Sequence, residues 1–174
     1  VRYLAPTFGG INLEDIAAPR CFEIEAALQD LGIPVFHDDQ HGTAMVVLAS
    51  VINALKVVGK HIGDIKIVFS GAGAGSIASA KLLLDYGAKN ILLVDSQGII
   101  DKSRTDLNST KKEMLSVTNP DNLKGDIAAS LQSADVFIGL SAGDIVSQDM
   151  VRSMSQGAFV LAAANPTPEI MPDL

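Results

Sequence analysis

The sequence predicts a doubly wound α/β fold built on a mostly parallel β-sheet. Short apolar runs alternate with longer segments of helical periodicity along the 174 residues. The short runs are apolar at consecutive positions, which is typical of strands covered on both faces. Strand–helix alternation of this kind produces parallel strands with right-handed crossovers. No segment resembles an interdomain linker, so we expect a single domain over residues 1–174.

The predicted strands are the apolar runs that glycine or polar residues bound on each side. A weaker candidate precedes them near the beginning of the chain. In chain order the predicted strands cover residues 8–13 (the weaker candidate), 33–36, 65–69, 91–94, 136–140 and 159–163.

Helices are predicted between these strands. Pro19 can begin the first helix and Gly32 can end it, and the apolar residues between them are three or four positions apart. A second helix over residues 43–58 is apolar on almost every side, which predicts burial on several faces. A third helix follows Gly75 and ends before Gly87. Two short helices precede the last two strands, and residues 96–122 are predicted to be irregular.

Composition excludes several classes of partner. The formal net charge is −7 and the basic residues form no run, so we predict no nucleic-acid partner. The longest strongly apolar stretch, residues 44–55, is shorter than the roughly 20 residues of a membrane-spanning helix. The single cysteine, Cys21, fits a reducing compartment, and we expect a cytoplasmic protein. The sequence begins abruptly in strand-like residues without a signal peptide, which predicts a chain cut from a longer one.

A glycine-rich loop is the clearest local signal. It joins a predicted strand directly to a predicted helix. Gly71 permits a tight turn, and Gly73 lets the backbone approach a pyrophosphate. The helix that follows presents free N–H groups and the positive end of its dipole. We therefore predict a Rossmann-like dinucleotide site whose loop comprises Gly71, Ala72, Gly73, Ala74, Gly75 and Ser76.

Asp95 ends the next predicted strand, 20 residues after Gly75. A carboxylate at this distance commonly binds the ribose hydroxyls of the dinucleotide. Because it would repel a 2′-phosphate, Asp95 favours NAD over NADP. Lys102 and Arg104 are close in sequence and could reverse that preference, so both cofactors stay open.

Two pairs of adjacent carboxylates, Glu14-Asp15 and Asp38-Asp39, each follow a predicted strand. The carboxyl ends of strands are where open α/β sheets bind ligands. Three converging carboxylates would suit Mg²⁺ or Mn²⁺. Neighbouring strand residues point to opposite faces, so Glu14 and Asp15 can share an ion only if the chain bends there. Helix capping or plain surface charge explains these residues equally well.

These segments together resemble the malic enzymes, particularly the bacterial type. The resemblance is carried by PTFGGINLEDIAAPRCFEIE, IPVFHDDQHGTA, the GAGAGS loop, RTDLN, ADVFIGLSA and ANPTPEI, which together cover almost the whole chain. It implies oxidative decarboxylation of (S)-malate to pyruvate and CO₂, with NAD⁺ or NADP⁺ as hydride acceptor. It also implies a requirement for Mg²⁺ or Mn²⁺ and a homodimer or higher homo-oligomer.

The resemblance also assigns roles to residues. Glu14, Asp15 and Asp39 would be the metal ligands, and Asp38 would support the substrate from beside them. Asn165 would lie near substrate and nicotinamide, although it could simply hold the turn before Pro166. The loop after Leu140 would pass the nicotinamide, but Gly143 stands where the family pattern has a proline. The general base and acid of the family, a lysine and a tyrosine, would lie in an N-terminal domain absent from this chain.

Two other functions are compatible with the glycine loop. Another Rossmann-type dehydrogenase, acting on amino acids or folates, would explain the glycine loop but gives no reason for the carboxylate pairs. A non-catalytic dinucleotide-binding module would keep the fold, but we would expect it to have lost the carboxylates.

Overall fold

Two β-sheets, one of two strands and one of five, organise the chain. The computed structural model describes residues 1–173. The five-stranded sheet has the order β5-β4-β3-β6-β7, and all its pairings are parallel except that of β5 with β4. Its strands are β3 (Lys66–Ser70), β4 (Asn90–Asp95), β5 (Gly98–Ile99), β6 (Val136–Gly139) and β7 (Phe159–Ala162).

This order confirms the predicted doubly wound, mostly parallel fold. From β3 the chain continues to β4 on one side, and then returns to β6 on the other side of β3. The reversal leaves a crevice outside the carboxyl ends of β3 and β6, which is the usual ligand position in such sheets. The short edge strand β5 was not predicted, because two residues leave no recognisable apolar run.

The two-stranded sheet pairs β1 (Ile11–Leu13) with β2 (Val35–His37) in parallel. It is separate from the larger sheet, whereas the sequence suggested strands of a single sheet. The helix between them, α1 (Arg20–Ala26), ends before the predicted stop at Gly32. Beyond Ala27 the hydrogen bonds span three residues, as in Leu31 N–H to Leu28 O, so the chain continues as turns.

Two long helices lie against the larger sheet. The helix α2 (Thr43–Val58) has the bounds that the sequence predicted, and Gly59 ends it in the left-handed conformation. The helix α3 (Ala74–Asp85) follows the glycine loop and packs against α2.

The remaining helices are short: α4 (Ser109–Leu115), α5 (Ile127–Leu131) and α6 (Gln148–Arg152). The predicted irregular stretch contains α4, whose N-terminus is capped by Asn108, since its side chain accepts a hydrogen bond from Lys111 N–H. Asparagine is a common helix cap, so Asn108 is the residue from which this helix could have been predicted.

The larger sheet is covered on both faces, as its consecutive apolar residues predicted. Ile67 and Phe69 of β3 belong to one buried cluster, which includes Val51 of α2. Val68, between them, belongs to a second buried cluster on the other face. The continuous helical stretch 38–58 is long and apolar enough to cross a membrane, although Val47, Val51 and Leu55 within it pack in the protein core.

Candidate functional site

The glycine loop leaves the end of β3 and enters α3 without a side-chain cap. Ile77 N–H donates to Gly73 O, so the amides of residues 74–76 have no acceptor within the helix. Gly73 is exposed, and a β-carbon built there would meet nothing within 4 Å. The start of α3 therefore presents free N–H donors and the positive end of the helix dipole to open space.

The other two loop glycines are packed closely. Gly71 has φ +107°, and a β-carbon there would lie 2.9 Å from Leu140 O at the end of β6. A β-carbon on Gly75 would lie 3.0 Å from the Thr43 methyl group and 3.1 Å from Asp39 O. Ser76, the third position of the strict motif, is buried, as close packing of helix on strand requires.

A cleft of about 590 Å³ opens in front of this loop. It extends from the end of β4 across β3 to the loop after β6, along the crevice at which the strand order reverses. Its walls include Ala72, Asp95, Lys111, Ser141 and Ile145. A long, narrow ligand such as a dinucleotide matches this shape and position.

Asp95 lies in this cleft but is already bound by two cations. Arg104 donates to both carboxylate oxygens, at 2.7 and 3.1 Å, and Lys111 Nζ lies 2.5 Å from Oδ2. Gln97 N–H also donates to Oδ1. Partial burial alone would raise the pKa of Asp95, but hydrogen bonds from Arg104 and Lys111 outweigh it and lower the pKa to about 2.

This environment differs from the predicted one. The sequence suggested a carboxylate free to accept bonds from ribose hydroxyls, with Lys102 and Arg104 as nearby cations. Arg104 does contact Asp95, but the second cation is Lys111, and the Lys102 side chain is not among the contacts described for residues 1–173. Lys111 lies in the first turn of α4, a helix that the sequence did not predict.

The two acidic pairs meet at one end of the small sheet. Because β1 and β2 are parallel with Leu13 opposite His37, Glu14-Asp15 and Asp38-Asp39 leave the sheet side by side. Asp15 has φ +56°, so the chain bends there as a shared ion would require. Asp15 N–H donates to Asp39 Oδ2 over 2.9 Å.

These two acidic turns, residues 14–15 and 38–39, supply carboxylate oxygens, which are the ligand atoms that Mg²⁺ and Mn²⁺ prefer. Glu14, Asp15 and Asp38 are exposed and Asp39 is half-buried, so the side chains are accessible to an ion. Within residues 1–173, however, no three His, Cys, Asp or Glu side chains are grouped closely enough to hold a metal. The donor set fits the ion, and the turns bring the donors to neighbouring positions.

The acidic turns also contact the glycine loop. Asp38–Gly42 forms a single π-helical turn that continues into α2, and Asp39 O faces Gly75 of the glycine loop. A second cleft, of about 490 Å³, joins Asp38 to Leu140 and Ala163 at the ends of β6 and β7. The carboxylates therefore lie on the same side of the larger sheet as the cleft in front of the glycine loop.

Asn165 follows β7 and is exposed. Its neighbour Ala164 donates its N–H to Glu169, a buried carboxylate that the sequence analysis had not singled out. Glu169 lies in the same ANPTPEI segment as Asn165, but nothing in the residue pattern indicated that its side chain turns inward.

Comparison with known proteins shows the family. Residues 40–172 match the family model described as "Malic enzyme, NAD binding domain". This chain belongs to the malic enzyme family. The family model begins at Gln40, directly after Asp39, so it does not include the acidic turns. The alignment with an individual malic enzyme, which covers 100% of this chain, does include them.

Individual malic enzymes align with almost the whole chain. An NAD-dependent malic enzyme from Geobacillus stearothermophilus is 54% identical over 100% of this chain and 37% of its own length. An NADP-dependent malic enzyme from Haemophilus influenzae is 51% identical over 97% of this chain and 22% of its own length. The crystal structure of an NAD-dependent malic enzyme from Thermotoga maritima superimposes with a TM-score of 0.96 at 47% identity, covering 99% of this chain and 46% of that chain.

These matches favour a malic enzyme over an amino-acid or folate dehydrogenase. The chain spans less than half the length of each of these relatives. Relatives of similar identity are named as NAD-dependent and as NADP-dependent, so identity alone does not select the cofactor.

Proposed function

We propose that this chain is the dinucleotide-binding and metal-binding part of an enzyme that oxidatively decarboxylates (S)-malate. The products would be pyruvate, CO₂ and NADH or NADPH. Family membership supports the activity, and one structural observation supports the placement of the site. That observation is the packing of Asp39 against Gly75, which joins the acidic turns to the glycine loop.

The glycine loop would bind the pyrophosphate. Gly73 leaves room for a phosphate oxygen, and the free amides of residues 74–76 would donate hydrogen bonds to it. The nicotinamide would then lie across the ends of β6 and β7, beside the cleft that contains Asp38. This arrangement would bring the hydride acceptor to C2 of malate.

Glu14, Asp15 and Asp39 would hold a divalent cation, Mg²⁺ or Mn²⁺. The cation would act as a Lewis acid that polarises malate oxygens during hydride loss and decarboxylation. Asp38 would support the substrate from the adjoining cleft, and Asn165 would position substrate and nicotinamide from the end of β7. The donors of this site are all oxygen atoms, as these two ions require.

We propose NAD⁺ as the preferred cofactor, with weak discrimination against NADP⁺. The negative charge of Asp95 opposes a 2′-phosphate, but Arg104 and Lys111 neutralise that charge, and Arg104 is shared with Asp106. All the Asp95 contacts come from protein donors, so a ribose hydroxyl would have to displace Lys111 or Arg104. The neutralised charge of Asp95 and its occupied oxygen atoms both weaken the preference for NAD⁺ that a free carboxylate would give.

The general base and acid, a lysine and a tyrosine in the family resemblance, would come from an N-terminal domain outside this chain. Residues 1–174 would then form one unit that binds dinucleotide but turns over little malate alone. Exposed apolar side chains on α2, including Met45, Val46 and Val57, support burial against that domain or a second subunit. We therefore also propose a homodimer or higher homo-oligomer, which light scattering of the full-length protein would test.

We further propose a cytoplasmic enzyme without nucleic-acid or membrane partners. The buried thiol of Cys21 fits a reducing compartment, and the acidic charge balance opposes nucleic-acid binding. The apolar face of α2 that bears Val47 and Val51 is part of the protein core, which supports a packed helix and not a membrane span.

The deciding experiment measures malate-dependent formation of NADH and NADPH by the full-length protein, with Mn²⁺ and after chelation. We expect turnover with Mn²⁺, loss of turnover on chelation, and faster NADH than NADPH formation. A protein that binds NADH but shows no malate turnover with Mn²⁺ would instead be the non-catalytic module.

A further inference from the structure

We propose that Glu169 is a positioning residue that fixes the nicotinamide half of the cleft by holding two loops at once. The proposal rests on the proposed dinucleotide function. It assigns a task to a buried carboxylate that neither the glycine loop nor the acidic turns use.

Glu169 is fully buried and accepts hydrogen bonds from two separate loops. Oε1 accepts from Ser141 N–H at 2.9 Å, and Oε2 accepts from Ala164 N–H at 3.1 Å. Ser141 Oγ lies 3.4 Å from Oε1 as well. Within residues 1–173 no ion pair is formed by this carboxylate, so backbone amides compensate its burial.

The surrounding backbone leaves space for this side chain. A β-carbon on Gly139 would lie only 2.2 Å from the carboxyl carbon of Glu169, so the last residue of β6 must lack a side chain. A β-carbon on Gly143 would lie 2.6 Å from Thr167 Cβ. Residues 167–169 therefore pack directly on β6 and the loop that follows it.

Backbone hydrogen bonds hold the same two segments together. Asp144 N–H donates to Pro168 O, and Val146 N–H donates to Glu169 O, both at 3.0 Å. Glu169 is thus anchored by its main chain on one side while its carboxylate reaches the beginnings of both loops on the other.

Both loops belong to the site. Ser141 lines the dinucleotide cleft and its Oγ lies 2.7 Å from Ser70 Oγ at the end of β3. Ala164 directly precedes Asn165. Asp95 marks the adenosine end of the cleft, at the carboxyl end of β4, so the loops held by Glu169 flank the opposite, nicotinamide end.

The isosteric variant Glu169→Gln separates this role from simple packing. A glutamine side chain offers one acceptor oxygen, so its NH₂ group would face either Ser141 N–H or Ala164 N–H. One loop would lose its bond and meet a second donor, whereas the volume of the buried side chain would be unchanged. Glu113→Gln makes the same change on the surface, where Glu113 pairs with Lys81, and is the matched control.

The experiment compares NADH with ADP-ribose binding by calorimetry in the full-length protein. ADP-ribose lacks the nicotinamide ring but keeps the adenosine, the pyrophosphate and the second ribose, so the difference between the two affinities reports on contacts to the nicotinamide ring. We expect Glu169→Gln to weaken NADH binding about tenfold while leaving ADP-ribose affinity within twofold of wild type. We expect Glu113→Gln to change neither. Unchanged NADH affinity, or equal losses for both ligands, would overturn the proposal.

A second variant decides the question if Glu169→Gln does not fold. Ser141→Ala keeps the backbone N–H but removes the hydroxyl between Ser70 and Glu169, and should weaken NADH binding two- to fivefold without affecting ADP-ribose. Equal effects on both ligands would again overturn the proposal. Because these measurements need no malate, an absence of malate turnover in the wild type would count against the proposed function alone.

Discussion

Asp15 donates its backbone N–H to the Asp39 carboxylate over 2.9 Å, joining two acidic turns that lie 24 positions apart in the chain. The parallel pairing of β1 with β2 brings the turns together, and the left-handed backbone at Asp15 directs its amide across the gap. Asp39 also contacts the glycine loop through its carbonyl oxygen. This residue therefore connects the proposed metal site with the dinucleotide cleft.

Asp39→Ala tests that connection. The change removes one proposed oxygen ligand and the bond from Asp15, but leaves the backbone carbonyl beside Gly75. We expect Mn²⁺-dependent turnover of the full-length protein to fall at least 100-fold, with NADH affinity within threefold of wild type. Asp149→Ala, at an exposed carboxylate of α6, is the control. Unchanged turnover at saturating Mn²⁺ would remove Asp39 from the ligand set.

Gly73→Val should weaken NADH binding, whereas Gly71→Ala should destabilise the fold. A side chain at Gly73 meets open space in the free protein, so we expect an unchanged melting temperature but NADH binding weakened at least 100-fold by collision with the pyrophosphate. A β-carbon at Gly71 meets Leu140 O in a left-handed conformation. That change should destabilise the fold by about 1–3 kcal/mol.

Thermal melts and calorimetry of both variants separate the two effects. If Gly73→Val bound NADH with wild-type affinity, the loop would not be the pyrophosphate site. If Gly71→Ala melted at the wild-type temperature, the close contact of Gly71 with the end of β6 would not contribute to the stability of the fold.

Local patterns in the sequence were sufficient to predict the main strands of the larger sheet. The buried strands and the glycine loop were found because their signals are consecutive in the chain, and the structure places β3, β4, β6 and β7 within one or two residues of prediction. The two-stranded sheet was not recognised as separate, because an apolar run does not reveal which strands it pairs with.

Contacts distant in sequence explain most of what the sequence did not predict about the site. Lys111 reaches Asp95 from a helix that looked like polar loop, and Glu169 reaches Ser141 across 28 positions. Both are ordinary charged residues in the sequence, and only tertiary structure turns one into a cleft wall and the other into a buried acceptor. The acidic turns were predicted as neighbours because parallel strands end at a common edge.

Lys111→Ala should increase the preference for NAD⁺. Removing this cation leaves Asp95 Oδ2 with Arg104 alone, so an oxygen lone pair becomes available to a ribose hydroxyl, and one positive charge near a 2′-phosphate is lost. We expect the ratio of kcat/KM for NAD⁺ to that for NADP⁺ to rise about tenfold. Lys112→Ala, its exposed neighbour on α4, is the control. An unchanged or lower ratio in Lys111→Ala would show that Asp95 and its cations do not select the cofactor.

Asp135 should make the fold sensitive to acid. It accepts bonds from Lys60 Nζ at 2.7 Å, Ser155 Oγ at 2.6 Å and Lys66 N–H at 2.8 Å. Burial raises its pKa, but these bonds outweigh burial and hold the pKa below the ordinary value of 3.8. Because the unfolded chain binds the proton more tightly, the stabilisation is complete above about pH 4 and disappears as the pH falls through the folded-state pKa.

The variant Asp135→Asn isolates this contribution, since it cannot ionise and leaves Lys60 without a charged partner. At pH 7 we expect it to be less stable than wild type by about 1–3 kcal/mol. The difference in melting temperature between the two proteins should shrink as the pH is lowered from 5 towards 2. Asp149→Asn, which removes an exposed carboxylate, should show little difference from wild type at any pH. A gap between wild type and Asp135→Asn that stays constant over this range would mean that the hydrogen bonds of Asp135 do not depend on its charge.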